Sequence, residues 1–233
     1  MTKHVIFNAD DFGASTGVNR GILECHTRGV VTSASLMVTG RAVHEAVAMS
    51  RDHPALAVGL HWDVWGEDER EFDLGNVQGV RDEFHRQVDE FERLLGRRPT
   101  HVDSHRHAHR EAHLMPVFRE LVEPLGVPLR GSGWVRYVSH FYGQWEWMVT
   151  NLDYVSVPFL QALLHDEVGD GWTEFSCHPG YASPDYRAVY LAEREVEVRT
   201  LTDPRIRQTV EALEIHLVSY ADLPASVGQG GTA

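Results

Sequence analysis

Four histidines and an aspartate fall within the ten residues Thr100-His101-Val102-Asp103-Ser104-His105-Arg106-His107-Ala108-His109. Imidazole and carboxylate groups are the side chains that bind divalent ions and move protons near neutral pH. In an extended strand alternate side chains share a face, so His101, Asp103 and His105 would point one way and Val102 and Ser104 the other. Any single histidine here is more often part of a solvated loop. The cluster as a whole, with Asp103 in phase, points to a metal site.

Other residues of the same types stand where strand-like runs end. Asp10 and Asp11 close the run that begins at Val5, and Gly13 just beyond suggests a turn that could bring both carboxylates to one pocket. One could then bind a metal while the other takes a proton; an acidic pair opening a helix is the plainer alternative. His61 ends the apolar run Leu56-Ala57-Val58-Gly59-Leu60. Alone it reads as a hydrogen-bonded core residue, and it gains weight from the other strand ends. Aspartate and two histidines from three strands would make a two-histidine, one-carboxylate site with positions left for water, suited to zinc, magnesium-like ions or ferrous iron. His178, in Cys177-His178-Pro179-Gly180-Tyr181, could be a general acid or base, or a turn histidine. Arg130 could orient a carboxylate, anchor a substrate or serve as a structural ion pair.

These positions need a scaffold that gathers strand ends. Strand-like runs at Val5–Ala9, Val30–Val38, Leu56–His61, the histidine stretch, Pro128–Arg130, Tyr154–Val157, Thr173–His178 and Ile215–Ser219 alternate with helical patterns. Ser15 or Thr16 can cap the first helix, with Gly29 as its stop. Phe84, Val88, Phe91 and Leu95 recur at helical spacing. Leu114–Leu125, Arg187–Thr200 and Pro204–Leu213 also read as helices, and Gly131–Trp147 as an irregular aromatic loop. This alternation predicts an α/β fold: a single-domain (β/α) barrel of about seven or eight parallel strands, closed or distorted, over residues 1–224. An open doubly wound sheet is the second choice. Residues 225–233, rich in glycine, are expected to be disordered.

Composition narrows the partners. The 233 residues carry a formal net charge of -13, with no basic stripe, so nucleic acid is a poor partner. No apolar run approaches the ~20 residues of a membrane span, and no targeting segment precedes Val5, so a cytoplasmic location is expected. Cys25 and Cys177 are the only cysteines and imply neither a disulfide framework nor a thiolate zinc site. No G-x-G-x-x-G or P-loop follows the first strand, so a nucleotide site has no support.

Asn8-Ala9-Asp10-Asp11-Phe12-Gly13, Val58-Gly59-Leu60-His61, Thr100–His109 and Cys177-His178-Pro179-Gly180-Tyr181 stand in the order found in the YdjC-like carbohydrate deacetylases. The chain resembles that family, which includes chitooligosaccharide and hopanoid-pathway deacetylases, from Val5 to about Leu223. The resemblance implies a β/α barrel and a metal-dependent hydrolase that removes acetyl groups from an N-acetylated amino sugar, as oligosaccharide or glycolipid. Carried over by position, Asp11, His61 and His105 match the metal ligands, Asp10 the base and His178 the group that protonates the leaving amine. The division between Asp10 and Asp11 also leans on the Asp-Asp pair of other polysaccharide deacetylases. One divalent ion, Mg2+ or Zn2+, is the expected cofactor. Arg130, His107 and Trp62 are the expected substrate contacts, and Trp65, Trp134 and Trp145 could also stack on sugar rings. A homodimer is left open. The chain departs from its relatives at Trp62-Asp63-Val64-Trp65-Gly66, in a short segment from Gly66 to Gln78, and across Gly131–Trp147. Two other readings compete: a non-haem iron oxygenase using the same ligands, and a non-catalytic carbohydrate- or metal-binding protein.

Overall fold

Along the first strand Val5, Phe7 and Ala9 alternate with Ile6, Asn8 and Asp10, and the two sets face different surroundings. A computed structural model describes residues 2–66 and 71–224. The expected tail at 225–233, and part of the acidic loop after Asp63, lie outside the described residues. Strand β1 (Lys3–Phe12) is central to a seven-stranded parallel sheet. β6 (Gly171–Cys177) pairs along one edge of it; β7 (Ile215–Leu217) and then β2 (Ser33–Leu36) pair along the other. From β2 the sheet continues through β3 (Ala57–Trp62) to β4 (Val102–Ser104), and from β6 to β5 (Arg136–Val138). Leu129 makes one further parallel bridge beyond β4. The sheet curls into a half-barrel, the distorted form of the expected fold.

The outer face carries the apolar set. Phe7, Leu36, Leu60, Trp62, Val102 and Phe175 pack under helices α1 (Thr16–Arg28), α2 (Val43–Asp52), α3 (Val77–Leu95), α4 (Met115–Val122), α5 (Val157–Glu167), α6 (Ala192–Leu201) and α7 (Pro204–Ala212). The concave face is different. Ile6, Val135 and Tyr220, with Trp172 and Val218, form a small apolar plug at the bottom. Above it Asn8, Ser35, His101, Asp103, Glu174 and Asp10 form a buried polar layer. Strand alternation therefore delivers chemistry to the inside and packing to the outside.

Local signals place the helices. Ser15 caps α1 by accepting from the Val18 amide, and Gly29 ends it as expected. Asn76 caps α3, and Gly96 closes it in the left-handed region, at φ 70°. Two expectations fail for physical reasons. Tyr154–Val157 is no strand: Leu152–Val155 is a 3-10 turn, and Ser156 then caps α5, with Pro158 in its first turn. The aromatic and β-branched run was too short to distinguish strand from turn. Gly131–Trp147 is not wholly irregular, since it contains β5, a three-residue strand held by β6. The strand expected over Val30–Val38 shrinks to Ser33–Leu36, and the helix expected from Arg187 begins at Ala192. No helix among the described residues is long and apolar enough to cross a membrane.

Gly59 shows how tightly the concave layer is built. A Cβ there would lie 2.5 Å from both the ring and the carbonyl oxygen of His101. Gly59→Ala is therefore expected to destabilise the protein by roughly 1–3 kcal/mol, as overpacking does. Urea denaturation would check this; an unchanged midpoint would mean that β3 and β4 can separate freely.

Candidate active site

The site lies where β1, β3, β4 and β6 end. β1 does not run straight through its acidic pair: its register against β2 shifts between Ala9 and Phe12, and Asp11 adopts φ 67°. This bulge turns two adjacent carboxylates toward one pocket, as their sequence context suggested. Asp11 Oδ1 lies 3.3 Å from His61 Nε2 and 3.1 Å from His105 Nδ1. Its other oxygen accepts a hydrogen bond from Arg194 at 2.5 Å. Burial alone would raise the Asp11 pKa, but the Arg194 charge and the two imidazoles hold it well below the usual carboxylate range.

His61 is oriented from behind. Its Nδ1 donates to Asp103 Oδ1 at 2.6 Å, which leaves Nε2 for the pocket. Burial opposes a charge on this ring, yet Asp103 outweighs it and holds the His61 pKa well above normal. A proton on Nε2 would face Asp11, the place a cation would take over from it. Ligand atoms sharing a zinc-like ion at ~2.1 Å lie roughly 3.0–3.4 Å apart. The two distances from Asp11 Oδ1 fit that range, so Asp11, His61 and His105 can hold a divalent ion. Asp10, His61 and Asp103 also approach one another. There each carboxylate oxygen already accepts from Arg130, Asn8, Ser35 or His61, and the Arg130 guanidinium would repel a cation.

Asp10 is clamped by Arg130, which donates to both its oxygens at 2.7 Å. The same guanidinium reaches Asp103 at 2.8 Å and Glu174 at 2.7 Å. Arg130 is fully buried, so its expected substrate contact is corrected: its donors are spent on three carboxylates. Trp62 needs the same correction. It points outward, buried against Phe118 and Phe72 with ring centroids 5.1 and 6.1 Å away, and cannot touch a ligand in the barrel. Strand parity decides this, because Trp62 follows His61 and must face the opposite side.

His178 ends β6 with Nε2 3.8 Å from Asp10 Oδ2. The rings of Tyr142 and Tyr190 flank it, with centroids 5.3 and 5.7 Å away. Burial pushes its pKa down to about 4, against the pull of Asp10 and Asp11. Glu197 accepts from the His178 amide and from Tyr190, and burial pushes its own pKa up to about 8. His107 places Nε2 3.1 Å from the Tyr137 hydroxyl, which in turn meets Ser176 at 2.9 Å.

The histidine cluster thus divides. His105 enters the candidate metal set, and His107 lines the wall. His101 lies deeper, between Ser35 and Thr100 and stacked on Tyr220. His109 bridges Ser104 and the Arg130 carbonyl. Trp65 sits near the opening, its ring 6.3 Å from His105 with Arg106 over it. Trp134 and Trp145 are about half exposed, and Trp145 stacks on Tyr154. Sequence reasoning gave no role to Glu174, Tyr137, Arg194 or Glu197. Glu174 and Tyr137 share strand parity with residues of the site, a usable signal; the two α6 residues carried none.

The sequence profile of the family described as YdjC-like protein matches residues 4–212. A carbohydrate deacetylase of Geobacillus stearothermophilus is 32% identical over 95% of this chain and 98% of its own length. A chitooligosaccharide deacetylase of Serratia marcescens is 30% identical over 96% of this chain and 100% of its own. Among solved structures, an Enterococcus faecalis V583 protein named for cellobiose-phosphate cleavage superposes with TM-score 0.79 at 26% identity, covering 94% of this chain and 98% of that one. A family 4 carbohydrate esterase from Streptomyces lividans, solved with acetate, shares the fold at TM-score 0.56 and 14% identity, covering 91% and 90% of the two chains.

Removing Arg130 would leave Asp10, Asp103 and Glu174 buried without their counter-ion. Arg130→Met is expected to cost roughly 3–5 kcal/mol near neutral pH. Burial works to raise the pKa values of Asp10 and Asp103, but Arg130 holds both low. That stabilisation is complete at neutral pH and is lost as pH falls through the depressed values. The deficit of the variant should therefore shrink on acidification, as the freed carboxylates take up protons. Denaturation of both proteins between pH 7 and pH 4 would test this; a deficit that grows toward acid would refute it.

Proposed function

The chain belongs to the YdjC-like family, and on that premise we propose that it is a carbohydrate deacetylase that hydrolyses an N-acetylated amino sugar with one bound divalent ion. The observation that carries this reading is the convergence of the Asp11, His61 and His105 ligand atoms beside a clamped carboxylate, Asp10, and a strand-end imidazole, His178. The names of the relatives supply the substrate class. Two imidazoles and one carboxylate suit a borderline ion such as Zn2+ better than Mg2+, which prefers oxygen ligands.

The ion, when bound, would polarise the acetamide carbonyl and make a water more acidic. Asp10 takes a proton from the attacking water. Arg130 keeps that carboxylate from rotating, so its reach is fixed before substrate arrives. The amine is a very poor leaving group as an anion and must be protonated as the C–N bond breaks. Burial keeps the His178 ring neutral at rest, so the proton it delivers is the one Asp10 has just accepted, passed across their 3.8 Å separation. Acetate and the free amine leave, and Asp10 and His178 return to their starting states. His107, on the pocket wall, and Trp65, near its opening, would contact the sugar. The oxygenase and non-catalytic alternatives draw no support from the relatives named above. A mere binding site would also have no use for a clamped carboxylate facing an imidazole.

Acetate release from N-acetylated mono-, oligo- and lipid-linked sugars, before and after chelation, tests the reading directly. His61→Ala is expected to lose both ion and turnover, whereas Asp10→Asn should keep the ion and lose roughly 10²–10⁴-fold in rate. Full metal occupancy of His61→Ala by elemental analysis would remove the assignment.

The role of His178 has its own test. His178→Ala should slow amide hydrolysis by a similar factor yet largely spare a substrate whose leaving group needs no proton. Equal damage to both substrates would mean that His178 positions the sugar instead.

A further inference from the structure

Every nitrogen of the Arg194 guanidinium is engaged. Nε donates to the Tyr190 carbonyl at 3.0 Å, and Nη1 to the His178 carbonyl at 3.1 Å. Nη2 donates to Asp11 Oδ2 at 2.5 Å and to the Tyr186 hydroxyl at 2.8 Å. The side chain is 4% exposed, and the Tyr186 and Tyr190 rings lie 5.3 and 5.7 Å from its centre. It reaches Asp11 past Gly180, where a Cβ would meet the Arg194 stem at 3.2 Å. A buried arginine is thus led from α6 to the outer oxygen of the carboxylate whose inner oxygen faces His61 and His105. Ordinary design of a metal carboxylate would place a neutral donor there, because a full positive charge opposes the cation that the carboxylate is to hold.

We propose that Arg194 is a resident counter-ion of Asp11 that competes with the divalent ion for it, confining Asp11 to one coordinating oxygen and weakening the hold of the site on its metal. The proposal rests on the assignment of Asp11, His61 and His105 as ligands. A carboxylate shared with arginine has less charge to give, so an ion held there would remain a stronger electrophile toward the acetamide. The same guanidinium grips the His178 carbonyl, which ties the strand end of the metal ligand to that of the proton carrier. Arg194 is in this sense a positioning residue.

The test is calorimetric titration of metal-free protein with Zn2+, comparing wild type, Arg194→Gln, Arg194→Lys and His61→Ala. Glutamine can still donate to Asp11 but carries no charge. Arg194→Gln should bind Zn2+ roughly tenfold or more tightly than wild type, given the energy of a unit charge this close to the ion. Its turnover should nonetheless fall. Arg194→Lys keeps the charge and should bind Zn2+ about as wild type does. A residue that only supported the fold would weaken binding in both variants. Equal or weaker affinity in Arg194→Gln overturns the proposal. Wild type that binds no Zn2+, or His61→Ala that binds it as well as wild type, overturns the ligand assignment instead. Thermal melting covers loss of stability: metal-free Arg194→Gln should melt lower than wild type and gain more from added Zn2+. If that variant is unfolded without metal, Zn2+ must refold it, and failure to do so counts against the competition.

Discussion

One guanidinium shared by three buried carboxylates holds the concave side of this barrel together. Arg130 meets Asp10, Asp103 and Glu174, from three different strands, where a β/α barrel more often packs branched aliphatic side chains. Taking such charges out of water costs more than a comparable apolar core would, so the network is poor evidence for stability. What it supplies is fixed geometry. Each carboxylate is tied at two or more points, and each ties something else: Glu174 the Tyr220 hydroxyl at the apolar plug, Asp103 the ring of His61, and Asp10 its own orientation. The arginine must also arrive from somewhere. It enters from the segment bridged to β4, its amide donating to the Val102 carbonyl and its own carbonyl meeting His109, so one apparently surplus histidine helps to fix the arginine.

The charge balance of this interior bears on the candidate metal site at its rim. Asp10, Asp103 and Glu174 together exceed the single charge of Arg130, and the excess is passed upward through Asp103 to His61. That is the reason the His61 pKa is held well above normal despite burial. A divalent ion held by Asp11, His61 and His105 would replace the proton on His61 and neutralise the excess, so its affinity would originate well below the rim. Asp11 stands apart from this circuit because Arg194 already balances it. The candidate site therefore sets an imidazole backed by a negatively charged interior beside a carboxylate already paired with an arginine.

Much of this was legible in the chain. The alternation of strand and helix patterns gave the barrel class, and the position of Asp10, Asp11, His61, His105 and His178 at run ends placed them on one face. Parity within a strand could have gone further: His61 and Trp62 cannot share a face, so Trp62 was never available to a substrate, and Asp103 follows His101 inward. What sequence could not supply was the partner of a buried charge. Arg130 reads equally well as an ion pair or a substrate anchor until the carboxylates around it are seen. Arg194 and Glu197 sit on a helix whose charged residues look like a solvated face, and only the close packing of α6 on the strand ends buries them. Short elements failed for a related reason: β5 is a strand because β6 pairs with it, not because Arg136-Tyr137-Val138 insists on one.

Backbone conformation settles how adjacent residues can hold separate roles. In a regular strand Asp10 and Asp11 would project to opposite faces, one into the barrel and one into the helix layer, where a carboxylate could not remain. The bulge at Asp11 removes that conflict by placing it in the left-handed region, which aspartate tolerates better than most residues. Arg106 and His107, at φ 51° and 54°, do the same after β4, so three of the five left-handed non-glycine residues among the described residues border the pocket. Such conformations cost of order 1–3 kcal/mol each and persist only where the surroundings over-determine them. The determinants are visible for two of the three. Asp11 is held at both oxygens and through its carbonyl, which accepts from the Ala14 amide, and His107 is held by Tyr137. Strain is therefore concentrated where strands stop supplying alternation, and the hydrogen bonds that offset it come from the residues of the site itself.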